Sequence, residues 1–174
     1  MTDVRAIPAL TDGPLHFLPK SLLEPRKPLR AIVVGWLLAA IPALALAAAV
    51  QAIFPGAETP EFGVGGWLAI FLLAVFSPVV ESLIMGAVLS ILLRFVPAYA
   101  AILLSAVGWG LAHASIAPAW GLVIWWPFLI FSTVFVVWRT RSFLTGIGMA
   151  TAVHGLNNLL PALAIAFAPM IHAS

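Results

Sequence analysis

The chain contains no cysteine among its 174 residues. That excludes a disulfide framework, a thiolate nucleophile and any Cys-ligated metal site. Charge is scarce as well: eight basic and six acidic residues make up 8% of the chain, against about 25% in ordinary soluble domains. Ten of these lie in residues 1–61, and beyond them stand only Glu81, Arg94, Arg139 and Arg141. Four charges cannot supply the polar exterior of a soluble fold. Basic residues occur singly at the ends of apolar runs, the placement of topology signals and not of a phosphate-binding stripe, so nucleic acid is excluded as a partner. Alternation of apolar with polar residues is missing too, which excludes a β-barrel. Residues 1–30 are polar and carry Pro8, Pro14, Pro19, Pro25 and Pro28, a composition unlike a secretory signal.

What is abundant is apolar sequence, at 63%. The expectation is an all-α, polytopic transmembrane helical bundle of about five to six spans in a lipid bilayer, in a cell membrane of the bacterial inner-membrane kind. Residues 1–30 read as a surface or flexible arm, cytoplasmic or interfacial, and residues 31–172 as a single transmembrane domain. Five apolar segments stand out: Ala31–Phe54, Gly65–Leu93, Pro97–His113, Trp120–Trp138 and Ser142–Ala168. Pro78 is expected to kink the second, with Ser77 bonding a freed carbonyl. Pro161 is expected to interrupt the last and to start a short sixth helix.

Orientation follows from the connections. Lys20, Arg26, Lys27 and Arg30 precede the first span and place the N-terminus in the cytoplasm. Glu58 and Glu61 then fall outside, Arg94 inside, the 114–119 link outside, and Arg139 with Arg141 inside. Trp36, Trp67, Trp120 and Trp138 sit near span ends, where an interfacial belt anchors a bundle.

Against this background a few polar residues are out of place. Glu81 is mid-span, where a carboxylate costs about 2.5–3.5 kcal/mol or more. His113, His154 and Asn158 also fall inside spans, the last two sharing a helix face at i and i+4. At about 1.5 Å per residue, Glu81 lies some 20 Å from Arg94, His113 about 24 Å from Pro97, and His154 and Asn158 about 20 and 26 Å from Arg141. Four polar side chains on three helices thus share one slab of the bilayer and are expected to converge. Small residues (Gly86, Ala87, Gly108, Gly110, Gly146, Ala150) allow close helix approach. His16, His172 and Asn157 are given no role: the first two lie outside the slab, and Asn157 is read as off the His154 face. Taken singly, each polar residue could instead fix helix packing; the conjunction favours a site.

The stretches Pro78-Val-Val-Glu81-Ser-Leu-Ile-Met-Gly86, Trp109-Gly-Leu-Ala-His113 and His154-Gly-Leu-Asn-Asn158 resemble the motifs of the CAAX prenyl protease and bacteriocin-processing (CPBP) family of glutamate-type intramembrane proteases. The family pattern is a Glu-Glu-x-x-x-Arg helix, an aromatic-x-x-x-His helix and a His-x-x-x-Asn helix. The Arg139–Phe143 turn before the last motif is also similar, and order and spacing hold from about residue 68 to 160. Ser82 stands where the family has its second Glu, Gly86 where it has Arg, and Trp109 where it has Phe. Ser82 and Gly86 together look like the coordinated loss of an i, i+4 ion pair, which leaves no unpaired buried charge behind.

The resemblance implies an intramembrane endopeptidase acting on a membrane-associated peptide or protein. Glu81, assisted by His113, would activate water, and His154 with Asn158 would donate hydrogen bonds to the oxyanion. No cofactor is expected, with zinc held by Glu81, His113 and His154 as the metal alternative. The rivals are a catalytically silent scaffold or regulator with the same fold, and a proton-coupled carrier, against which the lack of an inverted repeat counts. The slab lies at or outside the midplane, so a membrane-embedded or outward-facing segment is the expected substrate. Its identity and the oligomeric state are not legible.

Overall fold

The computed structural model describes residue 10, residues 12–58 and residues 60–171; residues 1–9 and 11 of the arm, and His172, fall outside these. The described residues form helices and no strand. A single turn, α1 (Lys20–Leu23), leads into α2 (Pro28–Ile53), α3 (Gly66–Leu92), α4 (Ala98–Ala114), α5 (Pro118–Trp138) and α6 (Phe143–Ile171). The five long helices match the five apolar segments to within three residues at every boundary. Four are long and apolar enough to cross a membrane, and α4 is apolar but shorter. At 17 residues it spans about 25 Å. The outward faces are as apolar as the inward ones: Val33, Ile41 and Leu44 on α2, Trp67, Leu68 and Phe71 on α3, and Leu104 and Leu111 on α4 are all exposed. Such a surface suits a lipid solvent.

Helix α5 forms the centre. From Pro127 to Trp138 every residue is buried, and α2, α4 and α6 pack around it. Small residues set the distances: Ala31, Gly35 and Ala39 make one buried row on α2, and α4 meets α5 at Gly110, Ala114 and Gly121. Deeper in, the Ser132 hydroxyl reaches Ser105 Oγ at 3.0 Å and Met85 Sδ at 3.4 Å, linking α5 to α4 and α3. Gly108, by contrast, faces open space and Ala87 is exposed, so neither serves helix approach.

Prolines organise the backbone in ways the sequence reading only partly anticipates. Pro42 leaves the Leu38 carbonyl without its intrahelical donor, and Trp126 Nε1–H on α5 donates to it at 2.7 Å. Before Pro78 the strain is taken up by a π-helical turn, Leu72–Phe76, in which Ser77 N–H reaches back to the Leu72 carbonyl. Leu73 thereby loses Ser77 as donor, and Pro78 has no N–H to offer. The expected rescue by Ser77 is not found. Its hydroxyl bonds Glu81 instead, and the Leu73 carbonyl is taken by Asn158. Pro161 does not interrupt α6, which runs unbroken to Ile171, so there is no separate sixth helix after it. In an apolar medium one lost hydrogen bond costs less than the several orphaned groups of a helix end.

The described part of the arm is docked on the bundle. Leu10, Leu15, Leu18, Leu22 and Leu23 are buried in the same core as α5 and α6, and Arg141 Nη2 on the α5–α6 turn donates to the Pro25 carbonyl. Trp138 is part of this core, 1% exposed, so it packs inside the bundle in place of the expected interfacial role. Trp67, 79% exposed, keeps the position of an anchor.

Candidate functional site

The π turn is what aims the site. It advances the register of α3 just before Ser77 and Glu81, which then share a face at i and i+4 and point toward α6. The Ser77 hydroxyl donates to Glu81 Oε1. Opposite, α6 comes unusually close: a methyl group on Gly155 would lie 2.8 Å from the Ala74 carbonyl oxygen. That carbonyl is the one whose α-helical donor Pro78 removes. This approach brings His154 Nε2 to 3.9 Å from Glu81 Oε2.

His154 is 3% exposed. Its ring stacks on Phe131 with centroids 4.5 Å apart and meets Phe128 edge-on at 5.3 Å. Its Nδ1 is buried and takes no hydrogen bond among the described residues. Asn158 Nδ2 lies 3.3 Å from His154 Nε2 and 3.1 Å from the Leu73 carbonyl. A carboxamide nitrogen only donates, so this contact makes His154 Nε2 an acceptor. His113, on α4, is fixed differently. Its Nδ1 lies 2.8 Å from the Trp109 carbonyl; a carbonyl only accepts, so Nδ1 carries the proton and Nε2 keeps a free lone pair. Trp120 stands edge-on to the His113 ring at 4.5 Å, and Phe62 edge-on to Trp120 at 5.8 Å.

Glu81, His113, His154 and Asn158 all line one cavity of about 240 Å³. Pro60 and Phe62 of the α2–α3 loop and Trp120 at the start of α5 close it at the end of the bundle away from Arg94, Arg139 and Arg141. The four residues expected to converge are therefore brought together. Three further contributors escape the sequence reading. Ser77, expected on a carbonyl, holds the carboxylate. Trp120, expected at the interface, walls the cavity. Asn157, expected off the His154 face, lines the cavity too; at i+3 from His154 it is as much a neighbour as Asn158 at i+4. His16 lies on the arm, bonded to Gly13, away from the site.

Ser82 and Gly86 face the other way, into the α5–α6 packing. Ser82 is wholly buried, and a methyl group on Gly86 would meet Ile147 Cδ1 at 2.5 Å and Phe135 Cε2 at 2.9 Å. No arginine fits there. Among the described residues no three His, Asp or Glu side chains are grouped to hold a metal ion, so Glu81, His113 and His154 do not form a ligand set as arranged.

The arrangement can hold and deprotonate a small donor. Glu81 Oε2 has lone pairs to offer the cavity, whereas the single Nε2 lone pair of His154, 3.9 Å away, is taken by Asn158. Compared with known proteins, the chain matches no family model, no curated protein and no solved structure.

Proposed function

We propose that the protein is an intramembrane endopeptidase of the glutamate type, cutting a peptide bond in a membrane-associated segment. The observation that carries this reading is the convergence of Glu81, His113 and His154, from three helices, on one mostly apolar cavity. Ionisable groups inside a membrane are costly, and grouping them around a space open to a small molecule is the mark of chemistry more than of packing. In the proposed reaction Glu81 takes a proton from water as the water oxygen bonds to the scissile carbonyl carbon. The C–N bond then breaks, and His113, through its free Nε2 lone pair, relays that proton to the departing amine nitrogen. His154, whose Nε2 accepts from Asn158, packs beside the carboxylate at 3.9 Å. The motif resemblance from about residue 68 to 160 supports the same assignment. The placement of basic residues supports a cytoplasmic N-terminus, which puts the cavity mouth on the outer side and makes a membrane-embedded or outward-facing segment the substrate.

The test compares wild type with Glu81→Gln in proteoliposomes against single-span peptides, with and without a chelator. Cleavage by wild type and none by an equally folded Glu81→Gln is expected, with chelator having no effect. Chelator-sensitive cleavage would favour the zinc form, and equal cleavage by both proteins would refute the reading. A second reading, a silent scaffold with this fold, draws on one observation: Asn158 is bonded to the α3 backbone, a structural task. It predicts no cleavage by wild type and a Glu81→Gln variant whose only change is in stability.

A further inference from the structure

Hydrolysis leaves negative charge on the carbonyl oxygen, and a site without donors for that oxygen is slow. The donors facing the cavity can be counted. Ser77 Oγ–H is committed to Glu81. Glu81 itself is an acceptor, His113 has its proton on the Trp109 carbonyl, and His154 Nε2 accepts from Asn158. Asn158 has two N–H groups, one on Leu73 and one on His154. Turning it toward a ligand would give up its bond to the Leu73 carbonyl. Apart from the indole N–H of Trp120 at the outer end of the cavity, Asn157 is the exception. Its Nδ2 makes a single long contact, 3.4 Å to Asn158 Oδ1, and has a second N–H to give. It sits half-buried on the cavity wall, one turn of α6 from His154, and Asn158 Oδ1 holds it in place from behind.

We infer that Asn157, and not Asn158, donates the hydrogen bond to the carbonyl oxygen of the bound segment. This rests on the peptidase reading and names the donor that reading requires. Asn158 is a positioning residue that ties the α3 π turn to α6. The two adjacent carboxamides thus divide the work: one holds the backbone, the other meets the substrate.

The experiment uses the full chain in proteoliposomes, with a library of single-span peptides randomised across their outward third as probe. Cleavage kinetics and thermal unfolding are measured for wild type, Glu81→Gln, Asn157→Ala, Asn157→Asp, Asn157→Gln and Asn158→Ala. Asn157→Asp keeps the shape and removes the donors. Expected for Asn157→Ala and Asn157→Asp is a loss of about 10²–10³ in kcat, with KM changed less than about threefold and an unshifted melt. Asn157→Gln, which restores a carboxamide, should recover part of the rate. Asn158→Ala should lower the melting temperature. If Asn157→Ala and Asn157→Asp stay within about threefold of wild type in kcat while Glu81→Gln is dead, the inference is overturned and the peptidase reading stands. It is overturned in the same way if Asn158→Ala loses rate without losing stability while the Asn157 variants do not. If wild type releases no more fragment than Glu81→Gln, the peptidase reading fails and the donor assignment falls with it.

Discussion

Gly148 and Gly155 lie in the same helix, seven residues apart, and differ in what a side chain would meet. At Gly148 there is nothing within 4 Å, whereas at Gly155 an added methyl carbon lies 2.8 Å from the Ala74 carbonyl oxygen. Substituting alanine at either should gain up to about 1 kcal/mol of helix propensity. That gain is common to both and cancels in their difference. The contact at Gly155 is shorter than an ordinary carbon–oxygen contact by about half an ångström, and its partner is backbone, which cannot rotate aside. Overpacking of this kind costs about 1–3 kcal/mol. Gly155→Ala should therefore melt below Gly148→Ala by about 2–12 °C, taking 2–4 °C per kcal/mol for a chain of this size. Circular dichroism melts of the two purified variants in one detergent provide the measurement, with wild type between them or level with Gly148→Ala. The variant should also lose cleavage out of proportion to stability, because the only ways to admit the methyl are to push α3 from α6 or to unwind the π turn. Equal melting temperatures for the two would refute the close approach, and with it the way the site is aimed.

Three further outcomes are expected. Asn158→Leu should cost about 1–3 kcal/mol by leaving the Leu73 carbonyl unpaired, while Asn157→Leu changes the melt by less than about 0.5 kcal/mol; the reverse order would reassign the backbone cap. Trp126→Phe should cost about 1–3 kcal/mol, and much less in a Pro42→Ala background, where residue 42 regains the N–H that serves Leu38. A double-mutant cycle on the melt gives the coupling, and identical costs in both backgrounds would refute the pairing. Arg141→Ala should release the arm, so that trypsin cuts after Arg26 about tenfold faster, the loss expected of one charge-assisted hydrogen bond of about 1.5 kcal/mol; unchanged proteolysis would show the leucines suffice.

The helix boundaries are legible in the sequence because most apolar runs are bounded by a proline or a charge: Pro28, Pro97 and Pro118 sit at or beside starts, Arg94 and Arg139 just past ends. The convergence of Glu81, His113, His154 and Asn158 is legible because depth in a bilayer is one-dimensional and can be counted along a helix. What stays hidden depends on register between helices. A proline announces a disturbance, but whether it becomes a kink or a π turn is decided by what the neighbouring helix offers the freed carbonyls, here Asn158 and Gly155. Asn157 escapes for a simpler reason, since strict i, i+4 counting discards the i+3 neighbour that a cavity wider than one side chain also takes in. The docking of the arm is obscured because five prolines and most of the charges mask its leucines. Yet Leu15, Leu18 and Leu22 repeat at helical spacing, a signal of a buried face.

The hydrogen bond from Arg141 to Pro25 joins residues 116 positions apart, and this distance has a consequence for synthesis. The arm leaves the ribosome first and packs on both α2 and α5, but the α5 part of that surface, with Arg141 beyond it, is made much later. Until α5 has been inserted, the buried leucines of residues 10–23 have only α2 to pack against and stay partly open to the aqueous phase. Closing the arm is thus completed late in assembly, and a chain stopped before residue 141 carries the leucines of residues 10–23 only partly sheltered, open to proteases or chaperones on that side. The docked arm records, in the finished protein, that α5 has arrived.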